Sequence, residues 1–368
     1  MEAASSHPAV DLATRLARRA LELCSIPSPT GQEGEMAAWV QRWAEGRYAP
    51  GEILRRSHSF LLGSVDDPRP AVVLVGHLDT VPPHPGDLPP RIEGERLHGT
   101  GASDMKGGVA VMLALAEELP RAELPVNLLL LLYEREEGPY LESGLGPLFE
   151  AAPGLRRAAL GIALEPTDGA IQVGCTGSLH ATLRFQGKRA HSARPWQGDN
   201  AIHRAGPLLA ELSERPRREV RIDGFPFYEV FSITLASGGI ARNVVPDRLE
   251  LNLNYRFAPG KSLEQAKEDV LALVAGRAEV ELTDMAPAGR VCTDNPLVRH
   301  LRSTSGLETH AKQAWTDVAR LGALGVDAIN LGPGETAQAH QAGESAGVQA
   351  MTSTYEALAT FLRTALAR

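Results

Sequence analysis

The sequence predicts an α/β fold that carries an inserted α+β domain, and three observations predict it. Short apolar runs alternate with helical stretches over the first 165 residues, the grammar of a sheet with crossover helices. From about Ser178 the pattern changes to strands that alternate apolar and polar residues, as on half-buried antiparallel strands. A last apolar run near residue 330, followed by a closing helix, then returns to the first pattern.

The elements follow in order. Leu12, Leu16, Ala20 and Leu23 form one stripe of a helix over residues 10–24, which Ile26-Pro27-Ser28-Pro29 ends. Thr30 and Glu33 read as a capping box opening a second helix that turns Met36, Val40 and Trp43 inward. Buried strands are expected at Ala71–Gly76, Val126–Tyr133, Ala159–Leu164 and Asp327–Leu331, with helices at Met105–Leu119 and about Glu142–Glu150. The closing helix contains Tyr355, Leu358, Phe361 and Leu362.

In the middle stretch, Leu179, Ala181, Leu183 and Phe185 alternate along one strand. A helix over about Asn200–Arg215, strands Tyr228–Ala236 and Arg248–Phe257, a helix capped by Ser262 and Gln265, and a strand Ala278–Leu282 follow. This β-α-β-β-α-β order is that of a ferredoxin-like unit. The expected division is a catalytic domain of residues 1–177 and 289–368, with residues 178–288 inserted.

The 368 residues suffice for two domains, and 43% hydrophobic with 22% charged is ordinary globular composition. A net charge of −8 argues against a nucleic-acid partner, which requires a basic face. Three scattered cysteines suggest neither a disulfide framework nor a cysteine zinc site, and Met1–Asp11 lacks the pattern of a signal peptide. The longest apolar run is too short for a membrane span. A cytoplasmic protein is expected, with no membrane partner.

The side chains that bear chemistry fall at the ends of the central strands. His77-Leu78-Asp79 follows the first, Glu136-Glu137-Gly138 the second and Glu165-Pro166 the third. The fourth leads through Gly332-Pro333-Gly334 to His340, and Asp104 precedes a helix. Ligands of open α/β sheets bind at the carboxyl ends of the strands, so these residues converge on one edge. Two histidines and three carboxylates suit a borderline divalent metal such as zinc, with cobalt or manganese as alternatives. Five donors suit two ions sharing a bridging carboxylate better than one. Asp79, two residues beyond His77, is placed to accept the second ring N–H of His77.

Taken singly, a His-x-Asp after a strand, adjacent glutamates or a histidine in a glycine-rich loop is ordinary surface chemistry. The conjunction is what carries the reading. His7, His58, His84, His98, His180, His203, His300 and His310 lack such context and read as surface or packing residues, and Trp43, Trp196 and Trp315 as packing. Cys175 lacks a nearby base and reads as a turn residue rather than a nucleophile. Gly99 and Gly101 do not have the spacing of a dinucleotide loop.

The stretches Val75–Pro82, Gly99–Gly108, Glu136–Gly138, Glu165–Thr167, Gly187–Ile202 and Arg242–Pro246 resemble the motifs of the co-catalytic zinc aminoacylase and carboxypeptidase superfamily, in collinear order over almost the whole chain. Within it, Trp315-Thr316-Asp317 and Gly332-Pro333-Gly334 strengthen a likeness to the actinobacterial desuccinylases of succinyl-diaminopimelate. The resemblance implies a zinc-exopeptidase-like catalytic domain with an inserted lid and dimerisation domain. It implies two zinc ions, with Asp104 bridging, His77 and Glu165 completing one site, and Glu137 and His340 the other. Glu136 would be the general base, although Glu134 and Glu142 are nearby acids. His191 and Asn243 would steady the oxyanion, His191 from the partner subunit of a homodimer. Arg256, and less directly Arg194, would bind a substrate carboxylate. The implied reaction is hydrolysis of N-succinyl-LL-2,6-diaminopimelate to succinate and LL-2,6-diaminopimelate. Alternatives are an acetylornithine deacetylase, a metallocarboxypeptidase or, from another class, a non-catalytic metal-binding interaction protein.

Overall fold

The computed structural model describes residues 11–365. The reading of the N-terminal stretch before Asp11, including His7, lies outside the described residues. The chain forms two compact units. One comprises the residues up to Val173, Cys292–His310 and those from Leu324 onward. The other comprises Gly174–Val291 and Ala311–Ala323.

The first unit is built on an eight-stranded mixed sheet. Its spatial order is Ile53–Arg56, Ser59–Leu62, Asn127–Tyr133, Ala71–His77, Leu160–Ala163, Ala328–Asn330, Ile171–Val173 and an edge strand beginning at Thr309. The four strands from Asn127–Tyr133 to Ala328–Asn330 run parallel, so all four end on the same edge. Asn127–Tyr133 is buried along its whole length, which is why its leucines run without alternation. The helix Gly107–Glu118 is buried from Gly107 to Ala116, as an apolar helix without a polar face must be. It packs with the helices Leu12–Cys24 and Val348–Thr364.

Several sequence expectations change in detail. The helix after Asp104 starts at Gly107 rather than Met105, because Asp104 (φ −123°, ψ 93°) and Met105 (φ −132°, ψ 33°) leave helical geometry. Thr30 and Glu33 form no capping box. The Thr30 hydroxyl donates to Asp79 Oδ2 at 2.9 Å, while Glu33 Oε1 accepts the Gly31 and Arg135 N–H groups at 2.8 and 3.2 Å. The hairpin Ile53–Arg56/Ser59–Leu62, a small sheet of Arg91–Glu93, Arg96–His98 and Ser345–Gly347, and the helix Pro296–Ser305 are additional.

In the second unit a five-stranded antiparallel sheet has the order Arg218–Ile222, Phe225–Gly238, Arg248–Phe257, Gly177–Gln186 and Glu279–Ala286. Its last four strands with the helices Ala201–Glu214 and Leu263–Val274 form the ferredoxin-like unit. Leu249, Leu251, Leu253 and Tyr255 face the buried side with Leu179, Ala181, Leu183 and Phe185. Asn200 caps the first helix through Oδ1, and Ser262 with Gln265 forms a capping box at the second. The edge strand Arg218–Ile222 escapes sequence reading, although its two-residue turn Asp223-Gly224, with positive φ at both positions, is a hairpin signature. Segment 311–323 packs within this unit: Gln313 Nε2 donates to the Pro226 carbonyl and Trp315 Nε1 to the Pro287 carbonyl. No helix among the described residues is long and apolar enough to cross a membrane.

Candidate metal centre

The parallel strands deliver their donors to one edge of the sheet. His77 is the last residue of its strand and fully buried. Its Nε2 lies 3.2 Å from Asp104 Oδ1, and Asp104 Oδ2 lies 3.6 Å from His340 Nε2. His340 Nε2 is in turn 2.9 Å from Glu137 Oε1. The chain of contacts therefore runs His77, Asp104, His340, Glu137, with Asp104 between the two imidazoles. One donor atom from each of His77, Asp104 and Glu137 lies within 4.8 Å of the others. Glu165, buried just beyond the Leu160–Ala163 strand, is close enough for its charge to act on His77.

Two close backbone approaches hold that region. A Cβ on Gly108 would sit 2.3 Å from the Leu164 carbonyl oxygen, and one on Gly332 would sit 2.2 Å from the same atom. Only glycine permits a helix and the Gly332-Pro333-Gly334 loop to press on the residue before Glu165 together.

Electrostatics test whether the donors suit cations. Burial pushes the His77 imidazole toward its neutral form, yet hydrogen bonds with Asp104 and Asp79 and the charges of Glu165 and Glu136 raise its pKa well above the usual value. Glu137 similarly lifts His340 to about 9, against the effect of burial. Both rings sit in a field that demands positive charge, and the donor set of imidazoles and carboxylates fits divalent metals.

Asp79 has a wider part than sequence suggests. The nearest acceptor to His77 Nδ1 is the Asp79 backbone carbonyl at 3.0 Å, with its carboxylate Oδ1 at 3.6 Å. The carboxylate accepts the N–H of Glu136 at 3.0 Å and of Glu137 at 3.1 Å. Glu136 is half-buried in the same turn. The competing acids point elsewhere: Glu142 pairs with Arg135 at 2.6 Å, and Glu134 lies 3.0 Å from His58.

Sequence reading missed Glu344. This buried carboxylate accepts the N–H groups of Gly101, Ser103 and Asp104 at 2.8–2.9 Å and so fixes the Asp104 loop. Burial pushes its pKa up to about 7 despite those three donors. Only its hydrogen bonds mark it, and they join positions more than 200 apart in the chain.

In the second unit, His191 and Asn243 come together on the short ladder pairing Ala190–His191 with Val244–Val245. The Ser192 N–H donates to the Asn243 carbonyl at 2.9 Å. Both side chains are exposed, as is Arg194. Arg256 is half-buried, its Nε donating to Asn254 Oδ1 at 3.1 Å. Trp196 is 76% exposed on the Pro195–Gln197 turn, not packed as its size suggests. Cys175 is buried, and burial raises its thiol pKa, opposite to what a nucleophile needs.

Residues 73–364 match the model of Peptidase family M20/M25/M40. The chain is 39% identical over 341 residues to a Mycobacterium tuberculosis protein named as a candidate succinyl-diaminopimelate desuccinylase, covering 92% of this chain and 96% of that one. It is 36% identical over 347 residues to the succinyl-diaminopimelate desuccinylase of Corynebacterium glutamicum, covering 92% and 94%. In fold it is similar to the metallo-carboxypeptidase Sso-CP2 of Sulfolobus solfataricus, with a TM-score of 0.76 at 17% identity over 96% of this chain and 99% of that one.

Proposed function

The chain belongs to peptidase family M20/M25/M40, and from that membership we propose that it hydrolyses N-succinyl-LL-2,6-diaminopimelate to succinate and LL-2,6-diaminopimelate. The likeness to desuccinylases over nearly the full length of both chains carries the choice of substrate. The metal-dependent hydrolytic chemistry rests on the cluster of His77, Asp104, Glu137 and His340 with Glu165 beside it.

The donors are assigned to two zinc ions: Asp104 shared, His77 and Glu165 on one, Glu137 and His340 on the other. When bound, the pair supplies Lewis-acid polarisation of the amide carbonyl and acidifies water for attack. Glu136 accepts the proton of the attacking water and returns it to the departing amine, the work of a general base turned acid. Asp79 holds the backbone of Glu136 and Glu137 so that one carboxylate binds metal while its neighbour stays available for the proton. His191 and Asn243 are assigned to oxyanion support, with His191 acting across a homodimer formed through the second unit. Arg256 and Arg194 are assigned to a substrate carboxylate. Among the described residues the three cysteines are buried and form no disulfide, which supports the reading of a reducing cytoplasm.

The test is turnover of a panel of N-succinyl and N-acetyl amino acids by protein stripped with chelator and reloaded with zinc or cobalt. The expected result is metal-dependent hydrolysis, fastest on the succinyl-diaminopimelate substrate. Preference for N-acetylornithine overturns the substrate assignment alone. Absence of any turnover after reloading overturns the hydrolase.

A further inference from the structure

We propose that Glu33, His58 and Glu134 form a third divalent-metal site, separate from the pair at the strand ends and assigned to an ion of the zinc class. Three segments of the first unit meet there: the start of the helix Gly34–Glu45, the turn of the Ile53–Leu62 hairpin, and the residue just after the strand Asn127–Tyr133. Sequence reading placed His58 among surface or packing residues. The fold instead sets its imidazole against two carboxylates.

The geometry is that of a ligand set. His58 Nδ1 lies 3.0 Å from Glu134 Oε2 and 3.9 Å from Glu33 Oε2, and one donor atom from each residue falls within 4.8 Å of the others. Ligands on a tetrahedral ion with bonds of about 2.0–2.1 Å stand about 3.3 Å apart. The strand-end centre shows similar separations, 3.2 Å between His77 and Asp104 and 2.9 Å between His340 and Glu137.

The hydrogen-bond inventory points to a cation. Glu33 is fully buried, and its Oε1 accepts two backbone N–H groups, yet Oε2 has no hydrogen-bond partner. His58 Nδ1, despite its short approach to Glu134, also makes no hydrogen bond. Among the described residues neither glutamate pairs with a lysine or arginine. A buried, uncompensated carboxylate oxygen is costly, and buried charges are ordinarily paired or coordinate a metal. One imidazole with two carboxylates suits zinc, cobalt or manganese. The half-exposed ring of His58 leaves room for water as a further ligand.

An ion there would lock the turn that carries the catalytic acids. Glu134 lies two residues before Glu136, and Glu33 holds the Arg135 N–H between them. The site is a positioning device for the Glu136-Glu137 turn and does not touch the substrate.

The experiment counts metal on the full chain. Metal-free protein is dialysed against zinc, and separately cobalt, and bound metal is measured by elemental analysis. Three equivalents are expected for the wild type and two for His58→Ala and for Glu33→Gln. His58→Gln provides a milder change at the same turn should either variant misfold. X-ray absorption on the most weakly held cobalt should report one imidazole, with oxygen completing the shell. Two or fewer equivalents on the wild type, or three retained on the folded variants, overturns the third site. The count is independent of which substrate is hydrolysed, so its failure is distinct from failure of the desuccinylase reading.

Discussion

Asp79 Oδ1 accepts the backbone N–H of Glu136 at 3.0 Å, which ties the residue two places after His77 to the backbone of the proposed base. Its other oxygen accepts the N–H of Glu137 and the hydroxyl of Thr30. One carboxylate thus sets the orientation of a turn supplying both the proposed metal donor and the proposed proton acceptor.

Asp79→Asn replaces an acceptor of three hydrogen bonds with a group that can turn N–H against N–H. Outer-shell changes of this kind cost about 10–100-fold in metal affinity or activity. Competition against a chelator, with kcat/KM at saturating metal, measures both. Unchanged values for both would remove Asp79 from this role.

Glu136→Gln retains the shape and removes the proposed proton acceptor. We expect the zinc content to hold and kcat to fall by about 10²–10⁴, the range of general acid–base catalysis. Full turnover with full metal would assign the base elsewhere.

His191→Ala is expected to lower kcat by about 10²–10³ with metal content unchanged, as loss of one oxyanion donor does. If the residue acts across a dimer, mixing His191→Ala with Glu136→Gln restores part of the activity through hybrid dimers. No recovery after verified subunit exchange contradicts the partner role.

Gly332→Ala forces a Cβ to within 2.2 Å of the Leu164 carbonyl oxygen. Overpacking typically costs about 1–3 kcal/mol, and the strand end before Glu165 must move to relieve it. Urea unfolding should shift its midpoint downward, and metal affinity should fall with it. An unaltered midpoint would show that the loop does not press as described.

Glu344 gives the chelated protein a pH signature. Burial raises its folded pKa to about 7, above the ordinary value of 4.5. The folded state therefore binds the proton more tightly than the unfolded state. The stabilisation is complete below about 4.5 and is lost as pH rises through about 7. Other groups titrate too, so the readout is the difference from Glu344→Gln. Wild-type unfolding free energy should fall more steeply than that of the variant between those two pH values, and parallel slopes would contradict this.

The scaffold and the meeting of the donor candidates were legible because long periodic segments declare themselves. The leucines of Asn127–Tyr133 and the alternation of Leu249, Leu251, Leu253 and Tyr255 each follow from burial on two faces or one. The donors could be grouped because parallel strands all end on one edge. Strands such as Arg91–Glu93 and Ser345–Gly347, three residues each, are too short to express a period. Thr30 shows how local grammar misleads: its hydroxyl has a helix start and a carboxylate to choose between, and Asp79 wins. Glu344 and the His58 cluster depend on contacts distant in sequence, which no local pattern records.

The order of the parallel block also bears on how the protein is made. Asn127–Tyr133, Ala71–His77 and Leu160–Ala163 are neighbours and all precede residue 164, whereas Ala328–Asn330 and His340 emerge only near the end of synthesis. A nascent chain can stack three strands and hold a partial donor set long before its last histidine leaves the ribosome. On the proposed donor assignment, the second of the two metal sites would be complete only once His340 has been made.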